Sequence, residues 1–249
     1  MSGPDALDRE LDAWVAAGRV AEAWWRDDDA TAPSPALARL LEARRAARVP
    51  IALAVIPARA RPELAALLAR EEGVVAWQHG WDHMNHAPVG AAKAEIGPHR
   101  PAAYVLGELA RGMLAMDRVF GAKGWMRALV PPHNRIAPAV TAALAQAGYA
   151  GLSAGLEPRP RGATRVVNAH VDIMDWGTRA FVGEGPALAA LAAAFAARRE
   201  GRCDPAEPVG FLTHHLAHDE AAWRFVEAIL PRLAAHRAVR FRHPETLFG

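Results

Sequence analysis

The chain has 249 residues, 52% of them hydrophobic, and a mean hydropathy of −0.01, a composition that can bury a large core and excludes a disordered chain. Formal net charge is only +2, and no arginine cluster is interleaved with aromatics, which excludes a nucleic-acid surface of the usual kind. The acidic start MSGPDALDRELDAWV shows no cationic stretch leading into an apolar run, and no uninterrupted apolar span approaches membrane length, so neither a secretory signal nor membrane insertion is expected. Cys203 is the one cysteine, which rules out an intramolecular disulfide framework and fits a cytoplasmic setting.

Short apolar runs bounded by Pro, Gly or charge read as buried strands: AEAWWRDD, PIALAVIP, GVVAWQHG, WMRALVPP, YAGLSAG, TRVVNAHVDIM, PVGFLTHH and AVRFRH. Between them lie helix candidates. SPALARLLEARRAAR opens with a serine suited to capping and a proline suited to the first turn, and RPELAALLAREEG ends on Gly73, a plausible stop. In PAAYVLGELARGMLAMDRVFG, the residues Leu106, Leu109, Met113, Met116 and Phe120 are expected on one core-facing side. APAVTAALAQAGY, PALAALAAAFAARRE and DEAAWRFVEAILPRLAAH complete the set. Strand–helix alternation repeated in this way predicts a parallel sheet with helices outside it. No G-x-G-x-x-G or Walker-type loop follows the first strand, which favours a barrel in one domain, residues 1–249, over nucleotide-binding folds.

Five polar clusters stand at the C-terminal ends of these strands. They are Asp27-Asp28-Asp29, HGWDHMNH at 79–86, PPHNR at 131–135, VDIMDW at 171–176 and THHLAHDE at 213–220. In a parallel barrel those ends share one face, and active sites are built there. His79 and His83 have a spacing that can aim two imidazoles at one ion, and His86 offers a second pairing with His83. One carboxylate from the aspartate run would complete a two-His, one-carboxylate set suited to Zn²⁺ foremost, and also to Co²⁺, Mn²⁺, Fe²⁺ or Ni²⁺. A neighbouring aspartate could then serve as general base toward water, a hydrolytic arrangement. Histidines 214, 215 and 218 offer a general acid, although His215 and His218 read better as structural residues.

In this order the clusters resemble the metal-dependent polysaccharide deacetylases, the NodB-homology group of carbohydrate esterase family four. Its pattern runs T-F-D-D-G, H-S/T-x-x-H, R-x-P-Y, D-x-x-D-W and L-x-H. The counterparts here are Asp27-Asp28-Asp29-Ala30, His79 to His83, Val130-Pro131-Pro132-His133-Asn134, Asp172 to Trp176 and Leu212-Thr213-His214, together spanning most of the chain. The resemblance implies a distorted (β/α)₇ barrel and one divalent metal ion held by Asp29, His79 and His83. It implies Asp28 as general base and His214 as general acid. A frame shifted by one residue, Asp27 with Asp28, stays open. Trp176, Leu212, His133, Asp175 and Trp81 would bind substrate, with the His133 backbone N–H stabilising an oxyanion.

The implied reaction is hydrolysis of an N-acetyl or O-acyl group on a sugar or glycoconjugate. Three departures bear on the substrate. Val130 replaces the family arginine, His133 replaces the aromatic beside it, and Gly80 replaces the Ser/Thr hydroxyl of the second motif. The rival reading is an inactive carbohydrate-binding or regulatory protein that keeps the barrel. An Fe²⁺ oxygenase using the same three ligands fits the strand–helix alternation poorly.

Overall fold

The computed structural model describes residues 5–155 and 164–249. In chain order the elements are α1 (Ala6–Ala16), β1 (Ala21–Ala30), α2 (Pro35–Ala47), β2 (Ile51–Val55), α3 (Pro62–Leu68), β3 (Val74–His79), α4 (Ala102–Phe120), β4 (Ala128–Val130) and α5 (Pro138–Ala143). There follow β5 (Gly151–Leu152), β6 (Arg165–Val166), β7 (Val171–Asp172), β8 (Met174–Asp175), β9 (Ala180–Phe181), α6 (Glu184–Arg199), β10 (Val209–Thr213), α7 (Glu220–Ala235) and β11 (Val239–Phe241). The main sheet has the order β6-β5-β4-β3-β2-β1-β10-β7, with β11 also paired to β1, and β8 and β9 form a separate antiparallel pair. This is the parallel α/β architecture expected from the alternation. No described helix is long and apolar enough to cross a membrane.

The described residues form two compact units. The first comprises 5–27, 35–51 and 169–244. In it β1 runs parallel to β10, with Asp27 opposite Thr213, and parallel to β11, with Ala21 opposite Val239. Trp24, Trp25, Phe195 and Phe211 are buried here. α1 packs on α6 and α2 on α7. Helix α1 occupies the acidic N-terminal stretch, for which the sequence reading assigned no element: Asp5 caps it by accepting the Asp8 N–H at 2.9 Å, and Leu7, Leu11 and Trp14 form its buried seam. Ion pairs such as Arg39–Glu227 at 2.6 Å and Arg199–Glu10 at 2.7 Å link the outer helices. Surface and partly buried pairs of this kind contribute about 1 kcal/mol or less, and the buried apolar side chains, each worth about 1.5–3 kcal/mol, contribute more to holding the helices in place.

The second unit comprises 28–34, 52–155 with 164–168, and 245–249. Its strands β3, β4, β5 and β6 are parallel neighbours, with His79 opposite Val130 and Leu129 opposite Leu152. Its core gathers Ile96, Leu109, Leu129, Val140, Tyr149 and Leu152. The buried seam of α4 is Val105, Leu109, Gly112 and Met116, one residue round from the expected stripe, so Leu106 and Met113 are only partly buried. The reason is Gly112: a Cβ there would collide with the Gln78 amide and lie 3.2 Å from the Gly80 carbonyl, so the helix approaches β3 most closely along this side.

Two long strand expectations shorten. YAGLSAG pairs only at Gly151–Leu152, and TRVVNAHVDIM divides among β6, β7 and β8. At the second break Asp172 Oδ1 accepts the Met174 N–H at 2.9 Å, a side-chain turn that competes with the sheet ladder. The helix expected over APAVTAALAQAGY is confined to Pro138–Ala143.

Candidate metal centre and active site

In the second unit, three of the expected ligands come together. Asp29 Oδ1 lies 3.2 Å from His79 Nε2 and 3.3 Å from His83 Nε2. The three donor atoms all fall within 4.8 Å of one another. Asp29 stands near the end of β1 and His79 ends β3. The His79 Nδ1 sits 3.0 Å from the Val130 carbonyl, which fixes that nitrogen as the protonated one and leaves the Nε2 lone pair facing the set. Burial and the neighbouring His79 hold the His83 imidazole below its ordinary pKa, hence neutral and able to ligate.

This donor set fits a divalent cation. Ligand atoms at ordinary Zn–N and Zn–O bond lengths in a tetrahedral arrangement are separated by about 3.3 Å, close to both separations seen here. Two imidazoles with one carboxylate also leave a coordination position open, as hydrolytic metal sites require.

The backbone around the set is strained. Asp29, His83 and His133 have φ of 76°, 64° and 58°, in the left-handed region that side chains with a Cβ avoid. Such strain persists only where surrounding contacts over-determine it, and it clusters at functional sites.

Glu95 is the buried residue the sequence reading missed. Its Oε1 accepts the Trp81 N–H at 2.6 Å and lies 3.4 Å from the Asp82 N–H, while Oε2 accepts the His83 N–H at 2.8 Å. Burial raises its carboxyl above the usual value although the amides act against this. The sequence signal for it was Gly80. At φ 58° a Cβ on Gly80 would lie 2.6 Å from Glu95 Oε2 and 2.7 Å from Pro132, so no serine or threonine fits where the family pattern has one. The Trp81 ring lies under the Arg111 guanidinium, 4.6 Å to the centroid. His86 is exposed and its N–H bonds to the Ala94 carbonyl; it is not part of the donor set.

Beside His83 stands the His133 ring, with centroids 4.8 Å apart in an edge-on contact. Burial, then His83, His79, Lys93 and Arg135, push its pKa down to about 4. His133, Asn134, Arg135 and Ala94 line a cavity of about 620 Å³. Val130, at the family's arginine position, is fully buried, and its carbonyl also receives the Gly80 N–H at 3.0 Å.

In the first unit the aspartate at the start of the triplet has other work. Asp27 is fully buried and accepts the Thr213 hydroxyl at 2.7 Å and the His215 N–H at 3.0 Å, with the His215 ring close against its Oδ1. Burial would raise this carboxyl, yet His215 and its hydrogen bonds hold it below the ordinary aspartate value. The triplet is therefore divided: Asp29 joins the two histidines, and Asp27 joins His215 and Thr213. Asp28 is buried between them in sequence.

His214 stacks edge-on against Trp176, centroids 4.6 Å apart, and its Nδ1 lies 3.7 Å from Asp172 Oδ1. The Trp176 indole N–H donates to Asp172 Oδ2 at 2.8 Å. Asp172 is thus the fourth-motif carboxylate beside these two residues. Asp175, expected to bind substrate, is exposed and spends its oxygens on Gly177 N–H and the Thr178 hydroxyl within its own turn. Leu212 is buried on β10, whereas Trp176 is half exposed at 50%. His218 accepts the His214 N–H at 3.3 Å and packs edge-on against Trp223.

No protein-family model matches the sequence, and no curated protein matches it. Solved structures share its fold. A family 4 acetyl xylan esterase from Clostridium thermocellum, in complex with a cobalt ion, is similar with TM-score 0.58 and 16% identity over 91% of this chain and 90% of that one. A family 4 carbohydrate esterase from Streptomyces lividans, in complex with acetate, gives TM-score 0.54 and 18% identity over 88% and 90%. The peptidoglycan deacetylase PdaC from Bacillus subtilis gives 0.57 and 14% over 92% and 90%. The chain has the distorted barrel fold of the NodB-like, family-four deacetylases.

Proposed function

We propose that the chain is a divergent member of the polysaccharide deacetylases, one catalytic domain that hydrolyses an N-acetyl or O-acyl group on a sugar or glycoconjugate with the help of a divalent ion. The observation that carries this reading is the Asp29–His79–His83 donor set at parallel strand ends, in a fold shared with carbohydrate esterases and deacetylases.

Asp29, His79 and His83 would hold the ion, with Zn²⁺ the first choice. When bound, it supplies Lewis acidity, polarising the acyl carbonyl and making water easier to deprotonate. Asp28 takes that proton as general base, a role assigned from its place in the D-D motif. The His133 backbone N–H donates to the developing oxyanion. His214, assigned from the L-x-H motif, gives a proton to the departing amine or alkoxide, with Asp172 Oδ1 standing 3.7 Å from its Nδ1. The bond broken is the acyl C–N or C–O bond, and the products are a carboxylate and the freed amine or alcohol.

The test is metal analysis of the purified protein combined with acetate release across acetylated sugars and sugar nucleotides. Asp28→Asn is expected to abolish release while the metal stays bound, and Asp29→Ala to lose the metal. The altered third motif, with buried Val130 at the arginine position, favours one rival: a carbohydrate-binding protein without turnover. Saturable sugar binding with no acetate released by metal-loaded protein would establish that rival instead.

A further inference from the structure

We infer that Glu95 is the positioning residue of the metal centre: its carboxylate holds the 81–83 backbone so that His83 presents Nε2 to Asp29 and His79. The inference rests on the proposed metal site and names a residue that lies outside the ligand set.

Three observations converge. The first is the backbone itself. His83 sits at φ 64°, a conformation that costs about 1–2 kcal/mol and reverts unless its surroundings impose it. The second is the form of the contact. The Trp81, Asp82 and His83 amides all point at one carboxylate, at 2.6, 3.4 and 2.8 Å. Successive amides arranged in this way make a concavity that binds anions, and here the anion is a side chain of the same chain. The third is the fit. Gly80 leaves no room for a Cβ between Glu95 Oε2 and Pro132, so the carboxylate occupies a space shaped for it.

Glu95 is itself held. It is 1% exposed, its carbonyl accepts Arg100 Nη2 at 2.8 Å, and Arg100 pairs with Glu108 on α4 at 2.8 Å. On its two sides, the Ala94 N–H bonds to Asn85 Oδ1 at 2.9 Å and Ile96 bridges to Ile136. A carboxylate tied to the scaffold and bonded to a ligand's own backbone fixes that ligand's direction without touching the ion. Losses of such supporting contacts typically weaken metal affinity by about 10–100-fold.

The experiment is a Co²⁺ titration of the metal-free full chain, followed by visible absorption, beside Glu95→Ala and Glu95→Gln. Glu95→Ala is expected to bind Co²⁺ about 10–100-fold more weakly and to give an altered d–d spectrum. Glu95→Gln keeps one acceptor oxygen in nearly the same shape and is expected to fall between. Melting of each metal-free protein separates a folding defect from a positioning one. Unchanged Co²⁺ affinity and spectrum in both variants, with or without a lower melting temperature, would overturn the inference while leaving the proposed function standing. If neither variant folds, Glu95 is a core residue and the inference falls. If the unaltered protein binds no Co²⁺ or Zn²⁺, the inference and the metal-dependent function fall together.

Discussion

Asp172 lies against His214, with Oδ1 3.7 Å from Nδ1, and its other oxygen is engaged by the Trp176 indole at 2.8 Å. At that distance the contact is an electrostatic one that biases the ring's orientation. Asp172→Asn is therefore expected to lower kcat about 10–100-fold with KM little changed, because the contact acts on proton transfer and not on ground-state binding. Steady-state kinetics on an acetylated sugar checks this. A pure KM effect would assign Asp172 to substrate binding.

Gly80 makes a second prediction, on stability. Gly80→Ser adds a Cβ 2.6 Å from Glu95 Oε2 and 2.7 Å from Pro132, in a backbone that already has φ 58°. Left-handed strain of about 1–2 kcal/mol and overpacking of about 1–3 kcal/mol combine to a loss of about 2–5 kcal/mol. Urea denaturation measures it directly. An unchanged midpoint would show that the loop shifts freely, contrary to the contacts around Glu95.

How much of this was legible in the sequence depended on distance along the chain. His79 and His83 belong to one short motif, so local spacing was enough to pair them, whereas the choice of Asp29 within the triplet came from the family resemblance. The division of the aspartate triplet was not legible, because it depends on the register that sets Asp27 opposite Thr213 and next to His215. Glu95 follows His83 after a loop of irregular backbone, and no periodicity links a buried carboxylate to the amides it receives. Asp172 and Asp175 are equally acidic in sequence. The turn at Met174 separates them, leaving one beside His214 and the other in solvent. The strand expected over TRVVNAHVDIM was interrupted at Asp172, where a side-chain turn takes the Met174 N–H.

The triplet's division predicts opposite phenotypes for neighbouring residues. Asp27→Ala leaves His215 buried without its carboxylate and is expected to cost about 3–5 kcal/mol in urea denaturation. Asp29→Ala, at a residue only partly buried, is expected to change the metal-free stability far less and to remove metal binding. Equal stability losses in the two metal-free variants would contradict the division.

Metal loading is expected to stabilise the fold by mass action. With free Zn²⁺ at about 1,000 times its Kd, the gain is about 4 kcal/mol, seen as a rise in Tm that a chelator reverses together with activity. His79→Ala should abolish the Zn²⁺-dependent rise. A rise that persists in this variant would place the ion elsewhere.

His218 makes the pH prediction. Burial pushes its pKa down to about 4 from an ordinary 6.5, with His214 and His215 acting in the same direction and Asp27 and Asp219 against it. The unfolded chain therefore takes up a proton as pH falls through 6.5, while the folded chain stays neutral to about 4. The neutral ring's contribution is fully present above the unfolded value and is lost as pH falls across that window, amounting to up to about 2 kcal/mol near pH 5. His218→Gln keeps an oxygen that can accept the His214 N–H but does not titrate. Urea midpoints at about pH 7.5 and about pH 5 should fall further in the unaltered protein than in this variant. Parallel falls in the two proteins would mean that His218 protonates in the fold as readily as in the unfolded chain.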